Sequence, residues 1–383
     1  MRIFARLFVG GAFALLALAG FGAASAGASP PPSPVVGHLY VNDNTAGANT
    51  IAGFNRHANG SLTPLPGSPF PAGGSGSGAP VASQGSLQES ADGRFLLATD
   101  QGSNQVSVLR IRHDGSLAVV DVARSHGVQP VSIAVHRGLI YVANAGNGGS
   151  DYTGFLLDPI GRLHHLRGST VPLPDGSQPG DILFNSTGTK VAGTRVGTSL
   201  IDSFRVRFDG RLQAAPGSPI PAQGLGPFGS EFRPTNPSQL FVSNAHDGAG
   251  NGTVSAYSVG PFGSLTSIGN SPFADHQTAP CWVEITHDGR FLFAVNTADS
   301  SVSRYAISPG GSLTLLGSTT LRTAPGLAPV DARIDPSGRT LSVVDGGGNA
   351  VSTFAVSGGD LTELASSPTP LPAGAHPAGI VVK

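Results

Sequence analysis

Cys281 is the only cysteine in a chain of 383 residues, so no intrachain disulfide can form and stability has to come from packing. Beside Trp282 it reads as a small buried hydrophobe rather than a nucleophile, since no histidine adjoins it. Charge is scarce too. Charged residues make up 12% of the chain and the formal net charge is −1, which leaves no electrostatic footprint for nucleic acid or an acidic membrane. Neither partner is expected, and the chain should be a monomer. Helical periodicity, a nucleophile elbow, a phosphate-cradling loop and paired metal-ligand spacing are all missing, so covalent catalysis is not indicated and no cofactor is implied.

One long apolar run exists, from Leu7 to Phe21, preceded by Arg2 and Arg6 and followed by the small residues Ala24-Ser25-Ala26. This has the form of an export signal over residues 1–26, and the chain is expected to be secreted or periplasmic. An uncleaved anchor is the rival reading, disfavoured by Gly10, Gly11, Gly20 and Gly22, which make a poor helix. No membrane span should remain after cleavage. A proline-rich spacer follows over 27–35, and no charge run or low-complexity linker divides 36–383.

What is abundant is repetition. Glycine (55) and proline (31) punctuate a unit that recurs about every 50 residues. Its turn reads Gly60-Ser61-Leu62, Gly115-Ser116-Leu117, Gly161-Arg162-Leu163, Gly210-Arg211-Leu212, Gly263-Ser264-Leu265, Gly311-Ser312-Leu313 and Gly359-Asp360-Leu361. Before the turn lies an alternating segment such as Gln105-Val106-Ser107-Val108-Leu109, and before that another, such as Phe291-Leu292-Phe293-Ala294-Val295-Asn296. Period-two alternation means strand. A further strand opens each unit after a proline, as in Pro280-Cys281-Trp282-Val283-Glu284-Ile285. Seven units of four strands make an all-β, seven-bladed β-propeller.

The ends agree with a closed ring. The first unit starts at His38-Leu39-Tyr40-Val41-Asn42 without an opening strand, and the chain finishes on His376-Pro377-Ala378-Gly379-Ile380-Val381-Val382, an opening strand without followers. Pairing the two removes two exposed sheet edges.

The segments Leu39-Tyr40-Val41-Asn42, Ile140-Tyr141-Val142-Ala143-Asn144 and Leu240-Phe241-Val242-Ser243-Asn244 each precede a glycine-rich loop and a strand of the Val254-Ser255-Ala256-Tyr257 type. In these the mature chain resembles the lactonase-type seven-bladed propellers, which include propeller 6-phosphogluconolactonases and carboxymuconate cyclases, and more loosely the YVTN-repeat propellers. The resemblance implies a basic and acidic cluster at one channel mouth, with basic residues after a Gly-Pro that opens an inner strand. The corresponding stretch here, Gly226-Pro227-Phe228-Gly229, carries no basic pair, and none of the family's catalytic residues is carried over.

Inner-strand starts and second-strand ends should converge on one mouth, where propeller ligands usually sit. Four residues past the opening prolines stand Ala134, Leu183, Glu231, Glu284, Arg333 and Val381; in the second blade Gln88 or Glu89 holds this depth. Glu231, Glu284 and Arg333 are the candidate catalytic residues, two carboxyls for acid/base work and a guanidinium for an oxyanion. The same three could equally be a buried ion-pair ring that fixes blade register. Arg195, His246 and His376, with His276, break the repeat on the expected rim and are candidate ligand-binding residues. The second strands end on Asn42, Asp100, Asn144, Thr194, Asn244, Asn296 and Asp345, which most simply close the next turn. These oxygens admit a Ca²⁺ ion chemically, yet form no ligand run, and no metal site is assigned. His164-His165 reads as structural.

Two functions follow. One is an exported propeller binding a small polar, anionic or polyhydroxylated molecule at the channel rim and, if an enzyme, opening or closing a lactone. The other is a non-catalytic scaffold for cell-envelope or protein contacts. Export itself argues against a phosphorylated sugar lactone, a cytosolic metabolite.

Overall fold

The computed structural model describes residues 33–383, apart from 82 and 324; the expected leader 1–26 and most of the spacer lie outside the described residues. Residues Pro34–Lys383 form one unit, a ring of seven antiparallel sheets. The inner strands of blades 2 to 7 are Leu87–Glu89, Pro130–His136, Pro179–Phe184, Pro227–Phe232, Pro280–Ile285 and Pro329–Ile334, and that of blade 1 is the C-terminal Ala378–Val382. Closure is as expected: Leu39 pairs with Val382 and Val41 with Ile380, while His38 and Lys383 exchange both backbone hydrogen bonds.

Stacked blades bury both faces of their middle strands, so the second strands Phe95–Asp100 and Gln239–Asn244 are buried at every position. The Tyr-Val dipeptides of the second strands of blades 1 and 3 act between blades. Tyr40 donates to the Gly115 carbonyl at 2.7 Å and Tyr141 to that of Gly210 at 3.0 Å, each reaching the turn of the next blade. The recurring turn glycine is required by its backbone, since Gly60, Gly115, Gly161, Gly210, Gly263, Gly311 and Gly359 all have φ between 81° and 92°.

Blades 1, 3, 4, 5 and 7 differ from the expected four strands by a fifth, two-residue strand. Their outer strand is broken by a serine, Ser68, Ser169, Ser218, Ser271 or Ser367, whose hydroxyl accepts a third-strand N–H at 2.7–3.0 Å. The serine supplies the partner that a continuous strand would have given. Inner strands all begin at the mouth where second strands end, here the upper mouth; the Asp-Gly turns lie at the lower one.

Candidate functional site

The inner edge of each inner strand has no further strand beside it, and these N–H and C=O groups must be satisfied within the channel. Above the middle, one segment does this. The residues Ser83–Ser86, leading into blade 2, cross the channel: Gln84 N–H donates to Gly180 O at 2.9 Å, Ile133 N–H to Gly85 O at 3.0 Å, and Trp282 Nε1 to Ser83 O at 2.7 Å. The Gln84 side chain then binds blades 5 and 6, donating to Ser230 O at 3.4 Å and Val283 O at 3.1 Å and accepting from Val283 N at 3.2 Å. Phe228 and Trp282 pack edge-to-face at 5.2 Å beside it, in one apolar cluster with Val196, Cys281 and Val330. This packing narrows the upper mouth, where a hollow of about 220 Å³ remains, lined by Val81, Gln129, Val131, Gln178, Pro179 and Val196 among others.

Below this plug the channel turns polar. A cavity of about 170 Å³, close to the volume of six waters, is lined by Gln84, Gln88, Asp181, Ser230, Glu231 and Arg333 among others. Glu284 is buried and paired, its carboxylate accepting from Arg333 Nη1 at 3.0 Å and from the Ile334 amide at 2.8 Å. Glu231 stands in the same relation one blade earlier, held by the Ile285 amide, but its Oε2 is buried with no hydrogen-bond partner. Burial and the neighbouring Glu284 charge hold the Glu231 carboxyl well above the ordinary range, with Arg333 pulling the other way. Burial also raises Glu284, opposed by Arg333 and the Ile334 amide.

Two further acids complete the group. Asp181, pushed up to about 7 by burial, accepts from Ser230 N and Oγ at 3.0 and 2.7 Å and from Ser132 Oγ at 3.2 Å. Asp331 is raised by burial to about 6, against Arg333, and accepts from Gly85 N at 3.4 Å. Four carboxyls thus surround one guanidinium, and the Arg333 side chain retains 26% exposure toward the cavity. Both aspartates lie two residues past their opening proline, on the same side as the fourth position. Sequence reasoning that counts every second residue would have found them. Gln84 lies outside the strands, just before Leu87–Glu89, and left no periodic signal.

The structure brings Glu231, Glu284 and Arg333 together and separates the remaining candidates from them. Arg195 is buried in a bidentate pair with Asp202, both bonds 2.6 Å, and Tyr152 donates to the same carboxylate. His246, His276 and His376 are exposed on upper loops, beyond the plug from the acids. The register question in blade 2 resolves to Gln88, which pairs with Leu97 as Glu284 pairs with Phe293; Glu89 instead binds Lys383 Nζ. Of the strand-end Asn/Asp residues, Asp100 bonds to Ser107, Asn144 to Asp151 and Asp345 to Ser352 on their own third strands, while Asn42 donates to the Thr99 carbonyl of the next blade. Among the described residues no group of three or more His, Cys, Asp or Glu is placed to hold a metal ion. Cys281 is buried, and burial raises its thiol to about 12.

A family profile described as Lactonase, 7-bladed beta-propeller matches residues 232–377. Over that stretch the chain resembles the lactonase-type seven-bladed propellers. This propeller superimposes on the periplasmic gluconolactonase PpgL of Pseudomonas aeruginosa with a TM-score of 0.70 at 17% identity, over 90% of this chain and 98% of that one. A candidate 6-phosphogluconolactonase of Bacteroides fragilis gives a TM-score of 0.70 at 19% identity, over 92% and 99%. A protein from Lactobacillus plantarum gives 0.67 at 19%, over 90% and 98%. At such identities the likeness is one of fold. No curated protein matches the chain.

Proposed function

We propose that this propeller is an exported lactone-processing enzyme whose site is the lower channel, and that its substrate is a small, neutral, polyhydroxylated ring. The observation that carries this reading is the buried, partnerless Oε2 of Glu231 in a cavity shared with Asp181 and Arg333. Four carboxyls against one guanidinium disfavour an anionic ligand, while hydroxyls suit carboxyl and amide partners such as Gln84 and Gln88. The cavity volume admits one small ring. The apolar leader and the likeness to a periplasmic gluconolactonase support export.

In this reading water adds to the lactone carbonyl carbon and the ring C–O bond breaks. Asp181 takes the proton of the attacking water, protonated Glu231 gives one to the departing ring oxygen, and Arg333 steadies the charge on the carbonyl oxygen. The Glu284–Arg333 pair fixes the guanidinium in place.

A scaffold reading draws on the sealed pairing of Glu284, which binds two blades together without facing solvent. Turnover of a panel of sugar and muconate lactones separates the two. The enzyme reading expects measurable hydrolysis by the parent, a loss of at least about a hundredfold in Glu231→Gln, as for removal of a general acid, and a comparable loss in Arg333→Ala. Background rates in parent, Glu231→Gln, Glu284→Gln and Arg333→Ala alike remove it.

A further inference from the structure

Among the described residues the three most exposed large apolar side chains are Phe208 at 100%, Phe262 at 63% and Ile160 at 62%. They are not scattered. Each occupies the tip of the turn between third and fourth strands, in blades 4, 5 and 3 respectively, so all three project from the lower face of consecutive blades. Cations flank them: Arg162, Arg207 and Arg211 have side chains 57%, 47% and 45% exposed, and Arg167 lies beside Arg211, which donates to its carbonyl at 2.8 Å. The nearby acids are Asp121, 3.6 Å from Arg162, Asp209 against Arg207 and Arg211, and Asp158 against His164. Exposed acids stand on upper loops at Asp175 and Asp299 and on lower turns of blades 2, 6 and 7 at Asp92, Asp114, Asp288 and Asp360. A whole-chain charge of −1 averages over the local excess of arginine on blades 3 to 5, which only the fold reveals.

We infer that the lower edge of blades 3 to 5 docks the propeller onto an anionic lipid surface, the apolar tips entering the interface while the arginines meet lipid phosphates. The tips stand on three separate turns, and the hollow beside Phe208, lined by Arg205, Val206, Arg207 and Gln213, is mostly polar and offers no apolar seat for a protein segment. A second copy of the chain would set arginine against arginine across a two-fold contact, which opposes self-association. An acidic polymer would account for the cations but not for a wholly exposed phenylalanine. Only an anionic bilayer uses both, with an apolar side chain below the headgroups and a guanidinium level with them.

The test is co-sedimentation with phosphatidylcholine vesicles with and without roughly one-third phosphatidylglycerol, at low and high salt. Binding should require the anionic lipid and weaken with salt. Phe208→Ser combined with Phe262→Ser should weaken it by at least about tenfold, and Arg207→Gln with Arg211→Gln by about fivefold per charge. Because these side chains are exposed, the thermal midpoint of each variant should match the parent, which separates lost docking from lost folding. No binding to either vesicle, equal binding to both, or undiminished binding by the double phenylalanine variant would overturn the inference. So would equally tight, phenylalanine-independent capture by soluble polyglutamate, or concentration-dependent dimerisation abolished by the same variants.

Discussion

Gln84 grips both backbone polar groups of Val283, 199 residues away, through its amide Nε2 and Oε1. The side chain imitates a strand neighbour on the free inner edge of blade 6 and so seals the channel above the acidic group. Gln84→Ala would leave the Val283 N–H and C=O unpaired where water is excluded, costing about 3 kcal/mol at the usual 1–3 per buried group. Gln84→Glu keeps the acceptor, loses the donor and adds a fifth carboxyl. It should therefore be destabilised more at pH 8 than at pH 5, and urea unfolding of both variants at the two pH values reads this directly.

Deleting residues 376–383 should abolish soluble expression. The deletion uncovers the edge of Leu39–Asn42 and strips Arg56 and Glu89 of their contacts with Lys383. A truncated chain that stays monomeric and melts with the parent would refute the closure.

Stability should fall between about pH 4 and pH 7. Burial pushes Asp43, Asp181 and Asp345 each up to about 7 from a usual value near 3.8, so in this window the folded chain holds protons that the unfolded chain releases. The contribution is fully present below pH 4, is lost as pH rises through 7, and amounts to something on the order of a few kcal/mol per group. Asp43 and Asp345 each keep one buried oxygen without a partner, which suits a protonated acid. The urea midpoint measured from pH 4.5 to 8 should decline, and Asp43→Asn with Asp345→Asn should flatten the decline.

Repetition made the fold readable. Turn glycines at fixed spacing, strand alternation and matching ends carried blade number and closure, because each reflects a local backbone requirement met seven times. The site was legible only in part. Glu231, Glu284 and Arg333 emerged because they share one offset from a repeated proline, whereas Asp181 and Asp331 sit at an offset two residues shorter. Arg195 and His246 looked promising as exceptions to the repeat, but a breach of pattern can also serve packing, as the Arg195–Asp202 pair does. Gln84 was invisible because its role depends on a segment crossing the ring, a contact that no single blade encodes.

The proton on Glu231 is the most direct test of the lactonase account. Only four glutamates, Glu89, Glu231, Glu284 and Glu363, occur in the chain, so ¹³C labelling of glutamate side chains gives four carboxyl signals to follow with pH. The account predicts that the signal titrating highest, well above the ordinary range near 4.5, is the one lost in Glu231→Gln. Survival of that highest-titrating signal in the variant would contradict it.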